Sequence, residues 1–144
     1  SLNFKFQIND TISRNNIYTF QSYPRFYNLN PGNHLITIRD TSGLCVNKTI
    51  DFLILNYPKF FTPNDDGIND TWNITDLQND LDSNITIYDR FGKIITKIKP
   101  YEKGWDGYNS NGDKLPSSDY WFLVKYNKNN VLREFRANFS LLRR

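Results

Sequence analysis

Apolar and polar residues alternate along much of this chain, and apolar residues seldom recur at the three- to four-residue spacing of a helix. Strict alternation is typical of a strand that buries one face. In the first half of the chain, the pattern predicts strands at 4–8, 18–20, 35–38 and 46–55. Turn residues lie at 30–33 (Asn-Pro-Gly-Asn) and at 41–44 (Thr-Ser-Gly-Leu).

The second half repeats this organisation. The residues between 85–88 and 93–98 are Asp89, Arg90, Phe91 and Gly92, which predicts a β-hairpin. Turn signals recur about every ten residues, a spacing typical of a β-sandwich. The remaining segments predicted as strands are 72–75, 119–126 and 131–142, the last as either one long, bent strand or a pair.

These patterns predict an all-β fold with antiparallel strands. Tyr57 and Pro58 interrupt the alternation, so we place a domain boundary near Asn56. A chain of 144 residues is long enough for one domain or for two small ones. We expect two domains, at 1–56 and 57–144.

Composition and charge exclude several classes of protein. The formal net charge is only +3 and Lys and Arg form no run, so no nucleic-acid partner is expected. No apolar run approaches the roughly 18 residues of a membrane-spanning helix, so we expect a chain that does not itself span a membrane. It has no initial methionine and no signal-peptide pattern, so we expect a piece of a longer protein.

Residues suited to catalysis are few. Cys45 is the only cysteine and His34 the only histidine, which leaves no disulfide within the chain and no Cys/His zinc site. We expect His34 on the surface of a strand. Asp65 and Asp66 are neighbours in a loop, not a carboxylate pair facing each other across a cleft. We therefore expect no enzymatic activity.

An Asn- and Asp-rich loop at 62–72, called the opening loop below, is the most informative segment. One interpretation is a self-capped turn, because Asn and Asp side chains bond to nearby backbone groups. The other is a calcium site, because calcium takes about six to eight oxygen ligands in irregular geometry. No glutamate closes the loop as in an EF-hand, so calcium is a candidate cofactor without a standard motif. The candidate ligands are Asn64, Asp66, Asn69 and Asp70.

The three tryptophans, Trp72, Trp105 and Trp121, also allow two interpretations. Exposed tryptophans could form a platform on which sugar rings stack. Residues of this kind more commonly fill the core of a sandwich.

Five motifs follow one another in the second half. They are 61–70 (FTPNDDGIND), 85–92 (ITIYDRFG), 104–107 (GWDG), 111–122 (from NG through LP to YWF) and 135–143, which ends in LLR. With them, residues 58–144 resemble the gliding-motility-associated C-terminal domain. This family is the type B C-terminal signal of the Bacteroidetes type IX secretion system. Its corresponding motifs are FTPNGDGxND, IYNRWG, WDG, NG…LPxGxYxY and a closing strand.

The chain departs from the family pattern at five positions. Asp65 and Asp119 stand where glycine is usual, and Ala137 stands where glycine often precedes the last strand. Asp89 and Phe91 replace the Asn and Trp of the hairpin motif. Because Asp tolerates unusual backbone angles, Asp65 and Asp119 are compatible with these turns.

Residues 1–55 are similar to the last part of an Ig-like adhesin repeat. The similar segments are 29–32 (LNPG), 36–40 (ITIRD) and 43–45 (GLC). The two resemblances together imply Ig-like β-sandwich modules in tandem, with a partial repeat at 1–56 and a type B signal domain at 57–144. The whole is similar to the C-terminus of a SprB-like gliding adhesin.

The resemblance implies a sorting signal of a secreted adhesin for gliding motility. The type IX translocon, with a PorP/SprF-like outer-membrane barrel, would recognise it and deliver the protein to the cell surface at the outer membrane. A β-domain can offer an exposed edge strand to such a partner. The candidate partner-binding residues form the terminal strand: Phe135, Arg136, Ala137, Asn138, Phe139, Ser140, Leu141, Leu142, Arg143 and Arg144.

Two alternatives to a sorting signal stay open. One is a calcium-stabilised β-sandwich that binds carbohydrate or mediates adhesion. The other is a calcium-stiffened structural stalk with no partner.

Overall fold

The computed structural model describes residues 4–10, 19–42 and 47–143, and these residues confirm the all-β class. The only helical element among them is a single 3-10 turn at Thr75–Leu77. The strands are β1 (Phe4–Asp10), β2 (Gly32–Asp40), β3 (Lys48–Ile54), β4 (Phe60–Phe61), β5 (Asn84–Tyr88), β6 (Ile94–Ile98), β7 (Ser118–Lys128) and β8 (Val131–Leu141).

The chain divides into two compact units, Ser1–Asn56 and Tyr57–Arg144. The described strands of the first unit form an antiparallel sheet in the order β1-β2-β3. One cross-strand row joins Ile8, Ile36 and Ile50, and Ile8 is buried. The alternation that predicts these strands therefore places isoleucines on one face, as a half-buried sheet requires.

His34 is buried in the first unit, and the prediction of a surface position is wrong. Its ring is 1% exposed and stacks on Phe52 at 5.4 Å between centroids. Its Nε2 lies 2.7 Å from the carbonyl oxygen of Asn30. Imidazole suits this position because it offers an apolar ring to the aromatic and a polar atom to the backbone.

The strand predicted at 18–20 is also wrong for the two residues that can be judged. Thr19 and Phe20 lie outside any strand, and Gln21 makes one isolated bridge to Phe6. The Gln21 side chain then donates to the carbonyl of Tyr23 at 2.8 Å, which bends the chain away. Tyr18, Cys45 and the second half of the turn at 41–44 lie outside the described residues.

The second unit contains one mixed sheet in the order β4-β8-β7-β5-β6. The hairpin predicted around 89–92 is confirmed as β5 and β6. Strands β7 and β8 form a second hairpin, closed by Asn129 and Asn130 at φ of 52° and 60°. Asparagine tolerates this left-handed backbone, which two-residue hairpin turns need. The predicted segment 131–142 is therefore one long strand.

Two features of this sheet depart from the sequence prediction. Strand β4 runs parallel to β8, so the sheet is not purely antiparallel. Segment 72–75 is no strand: Trp72 makes a single bridge to Trp105, and the 3-10 turn begins at Thr75. Alternation over two to four residues is too short to reveal such elements.

Aromatic side chains cover the inner face of the second sheet. Trp72 is fully buried and stacks on Phe139 of β8, with 4.0 Å between centroids and 13° between planes. It also packs against Phe122 of β7 at 4.9 Å. Trp105 meets Phe139 edge-on at 5.8 Å. This layer above the sheet consists of loops in the described residues, and the tandem of Ig-like sandwich modules stays a prediction.

The Trp72 stack generates a test of stability. We expect Trp72→Ala to lower the free energy of unfolding by about 3–5 kcal/mol, because it removes a buried aromatic and leaves a cavity. Trp121, on the opposite face of the same sheet, is 48% exposed. Trp121→Ala is the matched control and should change stability by about 0.5 kcal/mol or less. Urea denaturation followed by far-UV circular dichroism measures both; equal losses would contradict the assignment of Trp72 to the core.

Candidate functional site

The opening loop is closed on itself at its base. The N–H of Thr62 donates to the carbonyl of Asn69 at 2.8 Å. Within the segment 62–69, three residues have left-handed backbone angles: Asp65 (φ 63°), Gly67 (φ 85°) and Asn69 (φ 55°). Asp65 therefore adopts the conformation for which glycine is usual at this position, at a modest cost for an aspartate.

The carboxylate of Asp70 holds the loop together. One oxygen accepts the N–H groups of Asn64 at 3.0 Å and Asp65 at 2.8 Å, and the other accepts the N–H of Gly67 at 2.7 Å. The N–H of Asn64 does most to lower the pKa of Asp70, and those of Gly67 and Asp65 add to it against a smaller opposing effect of desolvation. The ionised carboxylate is thus the form that the loop stabilises.

Asn64 and Asp66 form a second set of bonds across the tip of the loop. The Asn64 amide donates to one oxygen of Asp66 at 2.8 Å, and the other oxygen accepts the N–H of Ile68 at 2.8 Å. The bond to Ile68 is an Asx turn, and the N–H of Asp66 forms another with the side-chain oxygen of Asn64 at 3.3 Å. They match the self-capped interpretation of the loop.

The four calcium candidates occupy one loop, but their oxygens already have partners. The Asp70 and Asp66 carboxylates accept N–H groups, and the Asn69 carbonyl accepts Thr62. In the part of the chain that the structure describes, no group of three or more His, Cys, Asp or Glu is arranged to hold a metal ion. Calcium binding stays a prediction.

The GWDG motif at 104–107 packs directly against Trp72, the residue that ends the opening loop. Trp72 and Trp105 exchange two backbone hydrogen bonds of 2.9 Å. A Cβ on Gly104 would lie 2.8 Å from the carbonyl oxygen of Trp72, so only glycine permits this approach. The indole N–H groups also have partners: Trp72 donates to Pro58 and Trp105 to Tyr108.

Arg143 joins three segments that are far apart in sequence. Its guanidinium donates to the carbonyls of Leu115 at 2.8 Å, Gly107 at 2.9 Å and Pro63 at 3.3 Å. Its backbone N–H donates to the hydroxyl of Ser117 at 2.7 Å. The planar guanidinium suits three acceptors in fixed directions. We call this set of bonds the Arg143 clamp.

A polar recess of about 870 Å³ lies between the opening loop and the clamp. Both signs of charge occur on its walls. The charged residues there are Asp65, Asp70, Lys103, Asp106, Lys114 and Arg143. Asp70 and Arg143 are already hydrogen-bonded within the fold. The recess is therefore mainly a structural junction between the opening loop, the turn at 104–107 and Arg143.

The candidate residues of the terminal strand differ in how far they are accessible to a partner. Phe139 and Leu141 are at most 1% exposed and belong to the core. Arg143 is committed to the clamp, and Arg144 lies outside the described residues. Phe135, Ala137 and Ser140 are half-buried, whereas the residues that reach solvent freely are Arg136, Asn138 and Leu142.

A second concave surface is missing from the sequence analysis. It is a groove of about 500 Å³ on the outer face of the sheet, and we call it the outer groove. Its lining includes Tyr88, Arg90, Trp121, Leu123 and Arg136. Alternation in 119–126 contains the signal that could have found it. Trp121 has the opposite parity to the buried Tyr120 and Phe122, so it must face away from the core.

The family comparison agrees with this geometry. The CHU_C Type IX secretion signal domain matches residues 55–139, which contain the motifs at 61–70, 85–92, 104–107 and 111–122. The chain belongs to this family. The resemblance to a type IX sorting domain is thereby confirmed, and the Arg143 clamp lies just beyond the matched residues.

The signal domain has no match among curated proteins. Within the described ranges, the structure contains no helix of the length and apolarity needed to cross a membrane.

The bonds of Asp70 predict a response to acid. Its pKa is lowered in the folded protein, so its stabilisation is present above the usual pKa of about 3.9 and is lost as pH falls through the lowered value. We expect the protection factors of the Asp65 and Gly67 amides, which are the intrinsic exchange rate at each pH divided by the observed rate, to fall below about pH 4. NMR amide exchange against pH measures them. In Asp70→Asn these protection factors should be low at all pH values; a fall in protection with acid that is retained in that variant would contradict the assignment.

The Arg143 clamp predicts a difference between two basic residues. Arg143→Lys keeps the charge but loses the planar set of donors, so we expect a loss of about 2 kcal/mol, typical of charged hydrogen bonds. Hydrogen–deuterium exchange should rise at 107–116 and around residue 63. Arg136→Lys on the exposed face of β8 is the matched control. Unchanged exchange in Arg143→Lys would show that the clamp does not hold these loops.

Proposed function

We propose that this signal domain directs a cell-surface adhesin of a gliding bacterium through the type IX outer-membrane machinery. In this proposal the domain is recognised in its folded form, with the help of a PorP/SprF-like barrel, and the exported protein stays at the outer-membrane surface. Its role is binding, without catalysis. The observation that carries the proposal is the match of the signal family to residues 55–139, whose motifs pack together in the fold.

Burial of the aromatic motif side chains supports recognition of the domain in its folded form. Phe61 and Trp72 are fully buried and Trp105 is 3% exposed, so a partner cannot read these motif side chains in the folded state. The side chains of Asp70 and Arg143 form hydrogen bonds with the domain's own backbone. What remains for a partner is the surface that these residues hold in place.

Strand β8 offers part of that surface. The N–H groups of Ser140 and Leu142 bond to Lys59 and Phe61, so even-numbered residues of β8 direct their backbone groups toward β4. Because β4 has only two residues, no described strand pairs with this edge between 132 and 138. We propose this stretch, which shares Phe135–Asn138 with the predicted partner-binding strand, as the edge that pairs with the machinery.

The alternative of a carbohydrate-binding module has one supporting observation. Trp121 is 48% exposed and could stack on a sugar ring, whereas Trp105 is buried and could not. This alternative predicts glycan binding that is lost in Trp121→Ala.

Export of a fused cargo tests the proposal. The complete 144-residue chain is fused behind a periplasm-directed fluorescent protein in a type IX-competent bacterium, with and without the PorP/SprF-like barrel. We expect surface or medium fluorescence only when the barrel is present. Fusions carrying Trp72→Ala should stay in the periplasm, because the signal no longer folds.

Fusion to residues 57–144 alone shows whether the second unit suffices. Cargo retained in the periplasm in both strains, with the fused domain shown to be folded by protease resistance, would contradict the proposal and favour an adhesion module.

A further inference from the structure

An apolar row crosses the outer face of the second sheet. The pairing register places Ile94 beside Tyr88, Tyr88 beside Trp121, and Trp121 beside Asn138. Ile94 is 51% exposed and Trp121 is 48% exposed. Two exposed apolar side chains thus flank the partly buried Tyr88 on adjacent strands, whereas isolated exposed apolar residues are ordinary.

Positive charge flanks this row. Arg90 and Arg136 line the outer groove together with one acid, Asp89. One oxygen of Asp89 is already bonded to the N–H groups of Phe91 and Lys93. Arg136 lies 3.8 Å from Glu134, but Glu134 also pairs with Lys125 at 3.4 Å. The groove therefore has an excess of cationic groups, and weak exposed pairs do little to offset it.

The groove continues into the part of the β8 edge with which no described strand pairs. Arg136 directs its side chain to the outer face, and its backbone groups point to the edge that β4 leaves open. A strand added at this edge would place alternate side chains level with Arg136 on the same face. Opposite charges in such cross-strand positions are stabilising.

We propose that the outer groove and the adjoining β8 edge bind an extended, acidic segment of a protein of the export machinery. This inference rests on the proposed function and deepens it. Carboxylates of the segment pair with Arg90 and Arg136, an apolar side chain covers Trp121, and its backbone extends the sheet. Tryptophan and arginine are the residues that most often dominate protein interfaces, and arginine binds carboxylates through two parallel hydrogen bonds.

The charges favour this occupant over a neutral glycan. A neutral sugar could stack on Trp121 but would leave both arginines without anionic partners. Because Arg90, Trp121 and Arg136 are exposed on the outer face, these three side chains can be changed without opening the core.

A peptide-binding experiment on the complete 144-residue chain tests the chemistry. The probes are fluorescein-labelled nonapeptides that alternate Glu with Leu or Lys with Leu, measured by fluorescence anisotropy at low and high salt. We expect the acidic peptide to bind at least tenfold more tightly than the basic one, and high salt to weaken it. Arg136→Glu and Trp121→Ala should each weaken it at least tenfold.

Matched controls at exposed positions elsewhere are Arg25→Glu, which makes the same charge reversal, and Tyr101→Ala, which also removes an exposed aromatic ring. They should leave peptide binding unchanged. Equal binding of acidic and basic peptides, or binding that survives both groove variants, would overturn the proposal. Binding of neutral oligosaccharides in place of peptides, lost in Trp121→Ala, would also overturn it.

Export of the same variants separates this proposal from the proposed function. We expect Arg136→Glu to lower export of the fused cargo at least fivefold with its thermal unfolding unchanged. If the unaltered chain is exported and Arg136→Glu and Trp121→Ala are exported equally well, the groove is not the recognition surface. If the unaltered chain is not exported at all, the sorting function fails, while the peptide result still decides whether the groove binds acidic segments.

Discussion

The stack of Trp72 on Phe139 is the contact on which the second unit depends. It joins the residue that ends the opening loop to β8, the last strand in sequence, across 67 positions. Through its backbone, Trp72 also fixes Trp105 and hence the turn at 104–107. Because these contacts join segments that are distant in sequence, each motif packs in its native position only when the other motifs are present. The family motifs are therefore parts of one packing arrangement.

The polar groups of the second unit follow from this arrangement. Once the two tryptophans are in place, the opening loop and the turn at Gly107 are left with backbone groups that need partners. Asp70 supplies acceptors for the first, and Arg143 supplies donors for the second. Side chains on the opposite face of the sheet do not stabilise the core, since Trp121, Arg136 and Arg90 are exposed. One sheet thus has a face that serves stability and a face available for binding.

The extent to which sequence predicts this structure depends on the distance over which each feature is determined. The hairpin at 89–92 is local, and its turn residues are enough to predict it. The parallel pairing of β4 and the isolated bridge at Trp72 depend on partners far along the chain, so alternation missed them. At the site, the side-chain chemistry of the opening loop was recognisable as one of two interpretations. The Arg143 clamp was not, because its acceptors are carbonyls that every residue possesses.

The neighbouring positions of β4 and β8 have a consequence for the order of events in the cell. Phe61 pairs with Leu141, so the first strand of the signal domain has its partner only when the last strand has been made. Contacts of such long sequence separation form late in folding. A chain interrupted before β8 has been made therefore lacks both the partner of β4 and the ring on which Trp72 stacks. The topology by itself makes a folded second unit depend on synthesis through the end of β8.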